Sequence, residues 1–209
     1  MVLHRLLQSM RMFTAVSVKA KWLQYSQSID MEELSLHVLD IVQNSISAGA
    51  TLIEVEIIED KENDTLTITV KDNGCGMKEE VLKKVTDPFT TGRKTRRVGL
   101  GIPLLKLAAE MTGGHISLES KVGVGTKISA VFRLSHIDRQ PLGDIASTMH
   151  QLIIMNEQTD FLYLHKAGEK EFLLDTREIK KVLDGVSLKE HEVMLWLLDF
   201  IKENEESLN

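Results

Sequence analysis

A small number of residues have the types and spacings that chemistry needs. Asp40 and Asn44 stand four apart in "DIVQNSISAGA", so on a helix they share one face, with His37 and Ser47 continuing the same polar stripe. Asp72 opens "DNGCGM" directly after an alternating run, "TLTITV". Asn-Gly in that setting is a strong hairpin-turn signal, and the competing reading is a carboxylate held ready for a ligand. Gly99-Leu-Gly101, followed by Ile102, leads into "PLLKLAAEMT", where backbone N–H groups at a helix start favour an anion. Gly123, Gly125 and Thr126 lead into a last alternating run. Taken singly, the helix pair is an ordinary solvated face and the Asp-Asn-Gly an ordinary turn.

The elements that must position these residues can be read from periodicity. Residues 31–48 form a helix: Leu34, Val38, Ile41, Val42 and Ser45 recur at three- and four-residue spacings, with Glu32 and Glu33 in the first turn and Gly49 as C-cap. "IEVEII" and "TLTITV" are two strands of a hairpin joined by "EDKEND". A short helix spans Lys78–Val85, and "TDPFTTGRKTRRVGLG" has no clear period. Residues 103–112 are helical, with Pro103 in the first turn, where a missing N–H costs nothing. "GGHISLES" and "GTKISAVFRL" are further strands with "KVGVG" as their turn; Ile128, Ala130, Phe132 and Leu134 make the apolar face. A helical layer over one side of a mixed, mainly antiparallel sheet follows, an α+β fold. Beyond residue 135, "PLGDIASTMHQLIIMN" is a helix candidate and "DFLYLHKAGEKEFLLDT" a strand-turn-strand. Ser187 and Glu190 have the spacing of a capping box at the start of a final helix. His165, beside the "KAG" turn, is expected to be exposed, and Cys75 to be an inert small residue.

Composition sets the outer limits. The chain has 209 residues, 43% apolar and 27% charged, room for one good-sized domain or a domain with an appendage. A net charge of -6 gives no basis for general nucleic-acid binding. Cys75 is the only cysteine, so no intramolecular disulfide forms, which fits a reducing compartment such as the cytoplasm. No apolar run reaches the ~18 residues of a membrane span. The first 29 residues carry Arg5, Arg11, Lys19 and Lys21 and no acid. Residues 1–30 are therefore read as an accessory segment ahead of the fold, not as a targeting signal; 31–135 are the main domain and 136–209 a small C-terminal α/β extension.

In order along the chain, these motifs resemble the GHKL ATP-binding family of histidine kinases, type II topoisomerases, MutL-type repair proteins and ninety-kilodalton heat-shock chaperones. "DIVQNSISAGA" resembles the N box in its MutL and topoisomerase style, and "DNGCGM" the G1 box. "DPFTTG", "VGLGIPLLKLAAEMTGGHISLES" and "GVGTKISAVF" resemble the F box, G2 box and closing strand of histidine kinases. The resemblance covers residues 32–134 and implies the Bergerat two-layer α/β sandwich, with ATP and Mg²⁺ as cofactors. It implies that Asp72 reads the adenine amino group, since a carboxylate only accepts. Gly74, Gly76 and Met77 would pass close to the base, Thr126 would assist, and Asn44 would hold Mg²⁺ against the phosphates. Gly99, Leu100, Gly101 and Ile102 would form the phosphate loop. Phe89, Thr91, Gly92, Arg93 and Lys94 would belong to the ATP lid, with Arg96 and Arg97 as further cations. Asp40 would be the catalytic residue, standing where MutL-like ATPases have glutamate, one methylene longer.

The departures from the family select among activities. Residues 1–30 are too short for the helical pair that carries a phosphoacceptor histidine, and His4 lacks the acidic and proline neighbours of such a site. His37 is read as a helix-surface residue or one supporting the site from behind. Self-phosphorylation is not expected. Three functions are compatible with the residues: transfer of the γ-phosphate to a separate protein partner, a slow ATPase switch, or an ATP-binding module without chemistry. The first is the leading expectation. The oligomeric state and the acceptor are not encoded in any motif.

Overall fold

The computed structural model describes residues 33–85 and 101–208, of which 33–208 fall in one compact unit. The expected lid and phosphate-loop residues Phe89, Thr91, Gly92, Arg93, Lys94, Gly99 and Leu100 lie outside the described residues, as do residues 1–30.

Along the chain the elements are α1 (Leu34–Ser47), β1 (Leu52–Asp60), β2 (Thr65–Asp72), α2 (Glu79–Val85), α3 (Gly101–Met111), β3 (His115–Lys121) and β4 (Gly125–Arg133). They are followed by α4 (Ile145–Met155), β5 (Asp160–Ala167), β6 (Lys170–Asp175), α5 (Thr176–Leu183) and α6 (His191–Leu208). The six strands form one sheet in the order β3-β4-β2-β1-β5-β6, antiparallel throughout except for the parallel pair β1–β5. This is the mixed, mainly antiparallel α+β architecture that the alternating runs imply.

Strand parity decides what faces the core. In β2, Leu66, Ile68 and Val70 point inward and are at most 2% exposed. Asp72, two residues further on, lies on the same face. The register places it in the row Ser120–Thr126–Asp72–Ile53–Phe161, whose last two members are fully buried. The opposite face carries Glu54, Glu56, Thr67 and Lys71, with Leu162, Leu164 and Leu173 at its β5–β6 end, so one face meets the helices and the other is mixed. α1 contributes Leu34, Val38, Ile41 and Val42 to the core, α3 Leu105 and Ala109, and α4 Met149, Leu152 and Ile153.

The boundary expected at residue 135 falls between β4 and α4, and the sheet runs across it. β5 pairs with β1 over Leu52–Glu59, and Phe161 and Tyr163 join the same core cluster as Ile53 and Val55. Three local expectations are corrected. Glu33 precedes α1 as its N-cap residue, so no acid stands in the first turn. Ser187 does not cap α6, which begins at His191: its Oγ donates to Glu157 Oε1 at 2.7 Å, and the same oxygen accepts the Leu188 N–H at 2.8 Å. The Glu157 carboxylate thus draws Ser187 into a turn of its own. α5, whose apolar residues Ile179, Val182 and Leu183 recur at helical spacing, was not anticipated.

Candidate functional site

Asp72 is fixed by three hydrogen bonds, from α1, from the turn after β2 and from β4. Its Oδ2 accepts from Ser45 Oγ of α1 at 2.7 Å; its Oδ1 accepts from the Gly74 N–H at 2.8 Å and from the Thr126 N–H of β4 at 3.3 Å. A carboxylate has about four acceptor positions, so among the described residues one remains on Oδ2. The turn reading of Asp-Asn-Gly is therefore incomplete. The segment does turn, but Asn73 does the tying: its Oδ1 accepts the Thr51 and Leu52 N–H groups at 2.8 and 3.0 Å, and its Nδ2 donates to Thr51 Oγ1. That leaves Asp72 to face the helix layer.

The glycines mark where backbones approach each other. Gly76 has φ +65°, and a Cβ there would lie 2.1 Å from the Lys121 carbonyl oxygen. Gly125 has φ +131°, and its Cβ would lie 1.9 Å from the Asp72 carbonyl oxygen. Both positions exclude any side chain. Ser120 closes this corner: its Oγ accepts from the Met77 N–H at 2.8 Å, donates to the Gly125 carbonyl at 3.1 Å and meets Thr126 Oγ1 at 2.9 Å. Met77 and Thr126 are thereby held to one hydroxyl, and Gly74 is buried against Ala48.

Asp40 and Asn44 lie one turn apart on α1, as their spacing requires. The Asn44 side chain stands beside the Asp40 carboxylate and favours its charged form. Burial raises the Asp40 pKa, and the Asn44 hydrogen bond acts against that rise. The carboxylate presses on the first residue of α3: a Cβ on Gly101 would fall 1.5 Å from Asp40 Oδ2. Ile102, next to it, is 8% exposed and packs in the core. Asp40, Asn44, Ser45, Asp72, Gly101 and Thr126 thus converge from α1, β2, α3 and β4. Among the described residues no group of three or more His, Cys, Asp or Glu side chains could cage a metal. The donor set fits magnesium of the kind held mainly by phosphate and water oxygens, with Asn44 adding one.

For two residues a surface reading is corrected. His37 is not on the surface of α1: it is 2% exposed, its Nε2 lies 3.2 Å from Gln140 Oε1, and burial lowers its pKa to about 4. His165 is 4% exposed instead of solvated, for reasons given below. Three residues were missed as site residues: Ser45, Ser120 and Asn73. Only Ser45 left a signal, as a polar residue on the otherwise apolar stripe Leu34–Val38–Ile41–Val42.

Comparison with known proteins bears on the family and the fold. Residues 29–136 match the family described as histidine kinase-, DNA gyrase B-, and HSP90-like ATPases. The chain is 24% identical over 193 residues to the autoinducer 2 sensor kinase/phosphatase LuxQ of Vibrio cholerae, covering 83% of this chain and 22% of that protein. It is 29% identical over 104 residues to the histidine protein kinase DivJ of Caulobacter vibrioides, covering 48% of this chain and 17% of that one. It therefore spans under a quarter of either relative. Among solved structures, the N-terminal domain of a DNA repair protein superposes with a TM-score of 0.50 at 18% identity, over 68% of this chain and 52% of that one. That likeness is one of fold.

Proposed function

The chain belongs to the family of histidine kinase-, DNA gyrase B-, and HSP90-like ATPases, and from that premise we propose that it binds Mg-ATP and transfers the γ-phosphate to a separate protein partner. The observation that carries the nucleotide assignment is Asp72, with three acceptor positions filled by the protein and one left over. A single inward-facing acceptor suits the exocyclic amino group of adenine, which is a donor. Gly74 keeps a side chain off the carboxylate, since a Cβ there would lie 3.0 Å from Asp72 Oδ1. Asn44 offers its amide oxygen to magnesium, and the start of α3 offers backbone N–H groups to phosphate. Asp40, held between Asn44 and Gly101, would take a proton from, or orient, the attacking group.

The kinase reading rests on the kind of protein the chain is similar to, sensor and histidine kinases. A second reading, a slow ATPase switch, is favoured by one observation: burial raises the Asp40 pKa, which makes it a better base toward water. Incubation with γ-labelled ATP separates the two. Transfer of label to a second protein supports the kinase; release of free phosphate by the chain alone supports the switch; binding with neither leaves a nucleotide-binding module.

Asp72→Asn tests the site beneath all three. The amide keeps one oxygen for the Gly74 and Thr126 N–H groups but puts a donor where Oδ2 stood. Ser45 can turn its hydroxyl to accept, so the fold survives while the adenine amino group meets a donor. Loss of a hydrogen bond to a charged group is worth ~1.5–3 kcal/mol, roughly 10- to 100-fold in ATP affinity. Wild-type affinity in a folded Asp72→Asn protein would remove the adenine assignment. Asn44→Ala should abolish the tightening of ATP binding by magnesium and leave magnesium-free binding unchanged.

A further inference from the structure

A second polar site lies at the other end of the sheet. Asp72 pairs with Ile53 near the start of β1, and Glu59 stands six residues further along the same strand, ~20 Å away at strand rise. There a cavity of about 450 Å³ opens between the ends of β1 and β5, the start of α4 and the end of α6. That volume is in the range of small-ligand pockets. His165 and Glu59 reach it from the core face of the sheet, because they continue the inward parities of Phe161–Tyr163 and Ile53–Val55–Ile57.

His165 is the central feature. Its Nδ1 meets Glu205 Oε2 at 2.7 Å, and Glu205 Oε1 accepts from the Tyr163 hydroxyl at 2.8 Å. A carboxylate only accepts, so Nδ1 carries a proton. Nε2 is buried and has no hydrogen-bond partner; Glu59 Oε1, at 3.6 Å, is an electrostatic neighbour beyond hydrogen-bond reach. Burial opposes the charge on the ring, yet Glu205 and Glu59 together raise its pKa to about 9, so Nε2 is also a donor at neutral pH. A buried, charged Nε2–H whose nearest acceptor, Glu59 Oε1, stands at 3.6 Å is under-satisfied, and a native site that contains one calls for an explanation.

The remaining lining supplies both signs of charge. Lys61 and Lys202 are exposed at the cavity; Lys61 acts on Glu59 and Lys202 on Asp144 through space. Asp144 is committed to α4, where it accepts the Ser147 N–H at 2.9 Å. Glu206 is exposed at the same opening. A plain anion would meet Glu59 and Glu206, and a plain cation would meet the lysines and His165. A molecule carrying both charges satisfies each group. We propose that this cavity binds a small zwitterion of the size of a free amino acid, its carboxylate taken by His165 Nε2–H and a lysine, and its ammonium by Glu59 and Glu206.

The 209-residue chain is titrated separately with each common free amino acid, and with acetate, methylammonium and inorganic phosphate as single-charge controls. Calorimetry gives affinity, and ¹⁵N spectra of the histidine rings report on His165. At least one amino acid should bind saturably at millimolar or lower concentration and move the His165 Nε2 resonance. Lys202→Met and Glu206→Gln, both at exposed positions, should each weaken that binding about tenfold, or about 1.4 kcal/mol, without lowering the melting temperature. Asp72→Asn should bind it as wild type does, so failure at the nucleotide site and failure here are read separately. The proposal is overturned if no amino acid moves the His165 resonance, if acetate or phosphate binds as well as any amino acid, or if both surface variants bind like wild type.

Discussion

At the scale of single residues, the candidate site depends on fits that are a side chain wide. The contact of Asp40 with Gly101 is the tightest of these: a methyl group on Gly101 would stand 1.5 Å from the carboxylate oxygen. Gly101→Ala should therefore push Asp40 away from the start of α3 without touching its charge. If Asp40 acts in proton transfer, which typically contributes ~10²–10⁴-fold in rate, Gly101→Ala and Asp40→Ala should lower phosphate transfer or release by similar factors. ATP affinity should stay within a few-fold in Asp40→Ala. Turnover unchanged in well-folded Asp40→Ala would exclude the catalytic role. Ser45→Ala is the complementary case: it frees Asp72 Oδ2 from its 2.7 Å bond, so the loss should appear in nucleotide affinity and not in turnover of bound ATP.

At the scale of elements, two buried histidines tie neighbouring segments together and do so with opposite pH signatures. His165 joins β5 to α6 through Glu205, and its pKa is raised to about 9. The stability it contributes is complete below the unfolded value near 6.5 and is lost as pH rises through 9. At ~1.36 kcal/mol per unit this is on the order of 3 kcal/mol. His37 joins α1 to Gln140, and its pKa is lowered to about 4 by burial. Its contribution is present above 6.5 and is lost as pH falls toward 4. Melting temperature should accordingly peak between about pH 6 and 7 and fall on both sides. Glu205→Gln should flatten the alkaline limb alone, and His37→Gln the acid limb alone. A single variant that flattens both limbs would contradict the assignment.

At the scale of the whole molecule, the match to the ATPase family ends at residue 136, but the sheet does not. β1 is an interior strand only because β5 pairs with it, and Met149, Leu152, Phe161 and Tyr163 are each at most 1% exposed in the shared core. A chain cut after residue 136 would lose those side chains and expose β1 as an unpaired edge. We expect it to aggregate or to melt without a cooperative transition, whereas residues 33–209 should melt in one step. A folded, ATP-binding 33–136 fragment would make 137–209 a true appendage.

What the sequence determined by itself was the parity of the long alternating runs and the shared faces of the long helices, though not every helix or cap that short-range spacing governs. The parity of Leu66, Ile68 and Val70 puts Asp72 on the inner face, and the four-residue step from Asp40 to Asn44 puts both on one side of α1. The order of the motifs was enough to identify the family. The tertiary structure decided whatever depends on partners far apart in the chain. The bond from Ser45 to Asp72 spans 27 residues, the joining of Met77 and Thr126 by Ser120 spans 43 to the first and 6 to the second, and the bond from His165 to Glu205 spans 40. His165 sits next to a turn and looks exposed in one dimension. It is buried because β5 lies between β1 and β6 and α6 returns across its end, an arrangement set by how the strands pair and not by any residue beside it.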